Sequence, residues 1–241
     1  MIDGDGKLTI TGEGAATADD AEIIVYYSGK CSADTAQAIV NTKSSDSHVY
    51  LGLTNLKPSI SLSSTSSGIK ITVDDVSCAD GFRIYKKESD GTYTKVKTLK
   101  GHDTLTYTDK DVKNGSKYSY KVRCYVKHND GKNYYSKYSA VKSNYYLSQP
   151  TISKLTSTKT KTLTPTWKKN SKVSGYQIQV ATNSGFTNNK KTVTAAKSKI
   201  SATVSGLKSG KTYYVRIRGY KTVDETKYYS AWSSVKKIKT Q

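Results

Sequence analysis

Histidine beside aspartate is the first pattern in this chain that could do chemistry. His102 is followed directly by Asp103, and His128 lies two residues before Asp130. An imidazole held by a carboxylate can act as a general base. A hydrolase would also need a nucleophile on a rigid element, and no G-x-S-x-G motif occurs in the sequence. We therefore interpret both pairs as polar loop residues and predict a non-enzymatic protein.

The sequence does not have the ligand spacing of a metal site. Residues 3–6 begin like a calcium loop, but the later acids of such a loop do not follow. No spacing of Cys and His suits zinc, so we predict neither metal nor cofactor. The three cysteines, Cys31, Cys78 and Cys124, do not suggest a disulfide framework. We expect Cys124 to be a small buried thiol, with a Cys78–Cys124 bridge as the alternative.

Cationic and aromatic residues near the C-terminus predict a specific local arrangement. Arg216 and Arg218 alternate on one stretch, and Tyr229 and Trp232 follow it in the sequence Tyr-Ser-Ala-Trp-Ser. A guanidinium over an exposed aromatic ring is stabilised by about 0.5–1 kcal/mol. We predict a structural ladder of Trp232, Arg216, Arg218 and Tyr229, with the Trp232 ring stacked between the two guanidiniums. Its role would be to stiffen the fold.

Tyrosine is unusually common, with 20 residues against two phenylalanines. Exposed tyrosine beside lysine can stack on sugar rings or anchor a protein partner. We expect such a ligand surface near two equivalent loops, at 127–134 and 222–228. Its residues would be Tyr125, Tyr134, Tyr220, Tyr228, Lys221 and Lys227. The alternative is that these rings simply cover the surface of a β-sheet.

The charge of the chain is strongly positive and uneven. Residues 1–57 carry 4 Lys/Arg against 8 Asp/Glu, residues 58–149 carry 16 against 9, and residues 150–241 carry 19 against 2. Such a surface attracts polyanions. We expect a polysaccharide or an anionic cell-wall polymer as partner rather than a specific nucleic acid, with a merely solvated surface as the alternative. No run approaches the roughly 18 apolar residues of a membrane span, so membrane insertion is not expected.

Short strands are the elements that must position these residues. From Lys57 onward apolar and polar residues alternate, and turn residues recur every eight to twelve positions, which predicts β-structure. About seven short strands in roughly 90 residues is typical of a β-sandwich. In the first half we predict strands at 69–73, 82–85, 95–99, 118–126 and 139–143. In the second half we predict them at 163–167, 175–180, 199–204, 213–220 and 232–239.

The chain contains an internal repeat. Residues 112–142 correspond to residues 207–236: Val112-x-x-Gly115-x-x-Tyr118 in the first copy matches Leu207-x-x-Gly210-x-x-Tyr213 in the second. The second copy begins about 95 residues after the first, and a repeat with that spacing is a whole domain. Tandem arrays usually build reach or avidity rather than one active site.

These motifs resemble the fibronectin type III family. They are Trp167, then Gly175-Tyr176-x-Ile178-x-Val180, then Leu207-x-x-Gly210-x-x-Tyr213-x-Val215. The chain is most similar to the Lys/Tyr-rich tandem domains of Gram-positive surface, secreted or phage-associated proteins. The resemblance implies a mainly β chain with two tandem immunoglobulin-like sandwiches, at 57–147 and 150–241. It also implies a tyrosine corner at Tyr118 and Tyr213. The first copy departs from the pattern, because Val73 stands in the place of Trp167.

Residues 1–56 differ from the rest of the chain. Their pattern predicts strands at 7–11, 22–27 and 49–53 and a short helix at 32–40. We expect a small α+β or partial segment that serves in anchoring or oligomerisation and contacts other protein subunits. At the other boundary, Pro150 stiffens a short linker at 147–150, which favours a semi-rigid rod.

The leading functional expectation is an extended, non-enzymatic adhesion or spacer module of a bacterial cell-surface or secreted protein, located extracellularly. A chain that starts at Met1 without a signal peptide suggests an alternative. In that case it is a bacteriophage virion decoration or adhesion protein on the virion surface, with residues 1–56 as the particle anchor. A further alternative is a set of accessory domains of a secreted polysaccharide hydrolase.

Overall fold

The computed structural model describes residues 21–25, 36–40, 50–52, 57–76, 79–127 and 133–241; for the first three ranges and for Tyr134 it describes the backbone. All regular secondary structure in these ranges is β-strand. Within them, no helix is long and apolar enough to cross a membrane. The strands form immunoglobulin-like sandwiches, which confirms the predicted fold class.

A three-stranded antiparallel sheet precedes the sandwiches. It consists of β1 (Ala21–Val25), β2 (Ala36–Val40) and β3 (Tyr50–Gly52) in that order. The predicted helix at 32–40 is therefore wrong for residues 36–40, which pair with strands on both sides. The β-branched Ile39 and Val40 favour an extended backbone, and pairing satisfies the backbone groups on both edges. The strand predicted at 7–11 lies outside the described residues.

The first sandwich packs a three-stranded sheet against a five-stranded one. The smaller sheet has the order β4 (Ile60–Ser64), β5 (Ile69–Val73), β8 (Leu105–Asp109). The larger has the order β10 (Asn133–Tyr135), β9 (Lys117–Lys127), β6 (Gly81–Lys87), β7 (Tyr93–Lys100), and β11 (Lys142–Tyr145) also pairs with β9. All these pairings are antiparallel, so successive side chains alternate between core and outer face.

The core of the first sandwich comes from the inward positions of these strands. Ile69, Ile71 and Val73 of β5 are fully buried, whereas the intervening Lys70 and Thr72 are partly exposed. Cys124 of β9 is also fully buried in this core. Cys78, the other member of the alternative disulfide bridge, lies outside the described residues.

The second sandwich repeats this arrangement. One sheet pairs β12 (Ile152–Thr156) with β13 (Thr164–Trp167). The other has the order β15 (Lys191–Ala196), β14 (Gly175–Ala181), β16 (Thr212–Val223), β17 (Thr226–Tyr229), and β18 (Lys236–Lys239) also pairs with β16. The strand predicted at 199–204 is reduced to two isolated bridges, Leu163↔Val204 and Thr166↔Ser201.

The last core residue of the first sandwich and the first core residue of the second are adjacent in the chain. Tyr146 packs in the core of the first sandwich, and Leu147, fully buried, packs in the core of the second. The predicted linker at 147–150 therefore begins inside the second core. Pro150 is buried as well.

Candidate functional site

A stack of aromatic rings and arginines covers the outer face of the second sandwich. The Trp232 ring lies between two guanidiniums, with its centroid 4.4 Å from Cζ of Arg216 and 4.3 Å from Cζ of Arg218. The stack continues at both ends, because Arg218 lies 3.6 Å over Tyr229 and Arg216 lies 4.0 Å over Phe186. Sequence reasoning missed Phe186, which comes from the loop after β14 and has no spacing relation to the other four.

Two serines hold Trp232 over the strand. The Ser230 N–H donates to the Gly219 carbonyl (2.9 Å), and the Gly219 N–H donates to Ser230 Oγ (2.9 Å). Ser233 does the same with Ile217, at 2.7 and 3.1 Å. Each serine thus satisfies both backbone groups of one residue of β16. Residues 230–235 do not form a regular strand, so the predicted strand at 232–239 begins only at Lys236.

Glutamines on the neighbouring strand orient both arginines. Arg216 donates from Nε and Nη2 to Oε1 of Gln179, at 3.0 and 2.7 Å. Arg218 donates from Nε to Oε1 of Gln177 at 2.8 Å. Burial lowers the pKa of each guanidinium from its usual value, yet arginine stays protonated in proteins. In the described part of the chain, no ion pair includes either arginine.

The first sandwich carries a related stack with three cations instead of two. Lys121 Nζ lies 3.8 Å from the ring centroid of Tyr138, and Arg123 Cζ lies 3.9 Å from that of Tyr135. Arg83 lies 4.6 Å from the Tyr135 ring. In order, the stack contains Tyr93, Lys121, Tyr138, Arg123, Tyr135 and Arg83. Ser136 and Ser139 support it through the same paired backbone bonds, to Cys124 and Val122.

The two corner tyrosines tie the loop before the longest strand of each sandwich. The N–H of Lys113 donates to Oη of Tyr118 at 2.8 Å, and that of Lys208 donates to Oη of Tyr213 at 3.1 Å. Both bonds span five residues. Each therefore fixes the path by which the chain enters β9 or β16.

Tyr125 is not at the surface, which corrects the expected ligand surface. It is only 3% exposed, because its ring lies over Gly81 on the neighbouring strand; a Cβ at Gly81 would lie 2.6 Å from the Tyr125 hydroxyl. Tyr220 lies over Gly175 in the same way and is half-buried. For Tyr134, the side chain lies outside what the structure describes.

The loop at 222–228 faces the first sandwich. The Tyr228 ring meets that of Tyr145 edge-on, with centroids 5.0 Å apart, and Lys221 Nζ lies 4.9 Å from the Tyr145 ring. Lys227 Nζ lies 5.2 Å from the ring of Tyr220. The structure therefore engages Tyr228 and Lys221 in a contact between the sandwiches and does not gather the six expected residues on one surface.

The acid–base pair of the sequence lies in a small exposed cluster. His102 Nδ1 is 3.5 Å from Asp103 Oδ1 and 3.6 Å from Asp75 Oδ1, and all three side chains face solvent. Exposed clusters of this kind are common without a metal. His128 and Asp130 lie outside the described residues.

Comparisons with known proteins place the second sandwich in a family. A sequence model described as fibronectin type III domain matches residues 148–236, which is less than half of the chain. The second sandwich is therefore a fibronectin type III domain. Such domains are typically non-catalytic adhesion or spacer modules and commonly occur in extracellular or surface proteins.

Among solved structures, the chain is similar to the crystal structure of chicken CNTN1 FN1-FN3 domains. The two share 15% sequence identity, the alignment covers 85% of this chain and 76% of that chain, and the TM-score is 0.39. The comparison with curated proteins found no match.

Proposed function

We propose that the two sandwiches form an extended adhesion and spacer segment of a bacterial surface or secreted protein, and that the second sandwich makes the adhesive contact with an anionic polymer. Residues 1–56 would attach this segment to other protein subunits. The first sandwich would then act as the arm that holds the second away from its base.

The distribution of charge carries this proposal. Residues 150–241 contain 19 Lys/Arg, and their two acids are Asp224 and Glu225. Both acids occupy the turn between β16 and β17, at the end of the domain that contacts the first sandwich. The rest of the second sandwich is therefore free of carboxylate side chains, and its positive field favours a polyanion.

The junction supports the spacer role. Ser148 N–H donates to Oδ1 of Asn114 at 3.0 Å. Asn114 Nδ2 donates to Oδ1 of Asn170 at 3.2 Å, and Asn170 Nδ2 donates to Oγ of Ser148 at 3.1 Å. Neighbouring cores joined by one peptide bond leave little linker to bend. A stiff array extends further than two freely jointed domains of the same length.

Binding of the full chain to immobilised acidic polymers at two salt concentrations tests the adhesive role. We expect clear binding at about 0.05 M salt that weakens at about 0.5 M, because salt screens the lysines. Absence of binding to any polymer at low salt would leave the spacer role alone.

The two alternative functions, a bacteriophage virion protein and accessory domains of a hydrolase, predict different neighbouring genes. A signal peptide upstream or a wall anchor downstream would support the surface protein. Neighbouring structural virion genes would support the bacteriophage alternative, and a fused hydrolase domain would support the accessory-domain alternative. Sequencing the complete locus decides among the three.

A further inference from the structure

The outer face of the second sandwich contains two parallel rows of matching side chains. Register places Thr192, Gln179 and Arg216 opposite one another across three strands, and Thr194, Gln177 and Arg218 in the next row. Residues directly opposite in antiparallel strands share a face. The rows are two residues apart along each strand, which is about 6.5–7 Å. Each row therefore presents a hydroxyl, a carboxamide and a guanidinium, and the pattern occurs twice.

The arginines in these rows are held in place but have hydrogen-bond donors to spare. Guanidinium has five N–H donors. Arg218 uses its Nε on Gln177, and its two Nη groups make no hydrogen bond to any described residue. Arg216 likewise retains Nη1. These nitrogens are not among the buried unpaired atoms of the described chain, so they reach solvent.

The stack lowers the entropic cost of using those donors. A long side chain usually loses rotamer freedom when it binds a ligand. Here Trp232 and the glutamine oxygens already fix both guanidinium groups, with the indole ring between them. A planar fork matches the two oxygens of a carboxylate. The pair is therefore a preorganised receptor for two neighbouring oxyanions.

The neutral members of each row indicate what else the ligand carries. Thr192 and Thr194 are exposed, and the glutamines are partly exposed. A glutamine whose oxygen accepts from arginine still has two amide N–H donors. Hydroxyl and amide groups of this kind are suited to sugar hydroxyls. A polyanion without hydroxyl groups would leave these threonine and glutamine groups without matching partners.

We propose that the outer face of β14, β15 and β16 binds a linear polysaccharide that carries carboxylates. Arg216 and Arg218 pair with carboxylates of nearby sugars, while the threonines and glutamines bind hydroxyl groups. This inference rests on the adhesive role proposed above and assigns it to one face and one class of polymer.

The first sandwich does not repeat this site. Arg83 occupies the position of Gln177, because it pairs with Arg123 as Gln177 pairs with Arg218. Its Nε is buried and has no hydrogen-bond partner in the described chain. Tyr85 occupies the position of Gln179, and its Oη accepts from Arg123 Nε at 3.1 Å. Because neither glutamine has a counterpart, the outer face of the first sandwich has no equivalent row. The proposed binding is therefore confined to the second.

The test measures binding of the full chain to three carboxylated polysaccharides, polygalacturonate, alginate and hyaluronan, by calorimetry at about 0.15 M salt. Methyl-esterified polygalacturonate keeps the sugars and removes the charge, and polyglutamate keeps the carboxylates and removes the sugars. We expect at least one polysaccharide to bind about ten-fold more tightly than both controls, a difference of about 1.4 kcal/mol.

Two variants locate the site. R216K/R218K keeps the charge but removes the forks, and T192V/T194V removes the hydroxyls without touching the stack. We expect each to weaken binding about ten-fold. K154Q/K159Q, which removes two exposed lysines of β12 and the loop after it, on the other sheet of the domain, should change affinity by less than about two-fold. Thermal unfolding of each variant reports folding, and if R216K/R218K does not fold, T192V/T194V decides.

The outcomes separate this inference from the broader function. Tight binding by the wild type that neither site variant weakens would overturn the site and leave the adhesive role intact. Equal binding to polyglutamate would show that charge alone is recognised and would overturn the choice of polysaccharide. If no polymer of any kind bound, both the site and the adhesive role would fall.

Discussion

Lys86 and Asp109 form a buried ion pair in the core of the first sandwich. Lys86 Nζ lies 2.8 Å from Asp109 Oδ2 and donates to the Asp111 carbonyl at 2.6 Å. Tyr120 Oη donates to the same carboxylate oxygen at 2.7 Å, and the Asp111 N–H donates to the other oxygen. Every charged group is paired, which is what makes a buried pair tolerable.

The second sandwich fills the same three positions with valine. Its register pairs Val180 with Val215 as Lys86 pairs with Tyr120, and Val204 faces Leu163 as Asp109 faces Ile69. All three valines are buried. The comparison indicates that the fold does not require the ionic network.

Removing one member of this network should lower the free energy of unfolding more than replacing all three members by apolar residues. We expect Lys86→Met alone to lower the free energy of unfolding by about 3–5 kcal/mol, because it leaves Asp109 buried without a counterion. The volume-matched K86M/D109L/Y120F variant should recover most of that loss, within about 2 kcal/mol of the wild type. Urea unfolding at pH 7 measures both. A single variant as stable as the wild type would show that the ion pair adds nothing.

Tyr120 should make stability fall in alkali. Burial raises the pKa of Tyr120, and its hydrogen bond to Asp109 raises that pKa further. In the unfolded chain the phenol ionises near pH 10. Above that pH the unfolded state binds fewer protons than the folded state, so stability is complete below about pH 10 and decreases as pH rises beyond it.

Tyr120→Phe removes this titration. At pH 7 we expect the variant to be about 1 kcal/mol less stable, because a buried hydrogen bond is lost. Between about pH 10 and pH 11 the gap between the wild type and the variant should narrow, since only the wild type loses this contribution. Urea midpoints at several pH values measure the gap. A gap of constant size would contradict the assignment.

At the scale of elements, the stacks allow like charges to face each other on neighbouring strands. Arg83 and Arg123 are directly opposite in the register of β6 and β9, an arrangement that usually destabilises a sheet. The Tyr135 ring lies within 4.6 Å of one guanidinium and 3.9 Å of the other. The ring face is electron-rich, so it offsets part of the repulsion.

Trp232→Leu tests the stack of the second sandwich. Losing two cation–π contacts should lower the free energy of unfolding by about 1–2 kcal/mol. The free energy of unfolding of Trp232→Phe, which keeps a smaller ring, should lie between those of the wild type and Trp232→Leu. Val235→Ala changes a nearby side chain that is 45% exposed and should cost less than about 0.5 kcal/mol. Urea unfolding measures all three, and a Trp232→Leu variant as stable as Val235→Ala would contradict a stabilising stack.

At the scale of the whole molecule, the contacts between sandwiches combine polar and aromatic groups. The Lys172 side chain lies against Gly115, where a Cβ would come within 2.9 Å of it. Gln149, in the segment between the sandwiches, donates from its side chain to the Trp232 carbonyl. Tyr145 and Tyr228 close the other side of the junction. Trp232, the central ring residue of the second stack, is thus tied through its carbonyl to the segment that joins the two domains.

We expect the sandwiches to tumble as one body unless substitutions weaken this junction. In the wild type, residual dipolar couplings from both sandwiches should fit one alignment tensor. N170A/Y228A removes an amide bridge and a ring contact, so the couplings should need two tensors. Lys169→Ala changes an exposed side chain beside Asn170 and should keep one tensor. Two tensors in the wild type would contradict a stiff junction.

Local alternation accounts for the strands that could be predicted. The strand at 69–73 matches β5, and those at 118–126 and 213–220 lie within β9 and β16. The period of two is a property of the backbone and needs no information from distant residues. The alternation failed at 199–204, where pairing is reduced to two bridges. The helix predicted at 32–40 was wrong for residues 36–40, because pairing with two other strands outweighs the helical pattern there.

Only part of the second stack could be predicted from spacing in the sequence. Arg216 and Arg218 share a face because two residues separate them on a strand, and the nearby Tyr-Ser-Ala-Trp-Ser segment supplies the rings. Phe186, Gln177 and Gln179 join from β14 and its loop, and no spacing links them to Arg216. Which side chains meet across strands depends on register, and register is set by packing of the whole core. The same reason placed Tyr125 over Gly81 and Tyr228 against Tyr145, contacts that sequence patterns alone could not reveal.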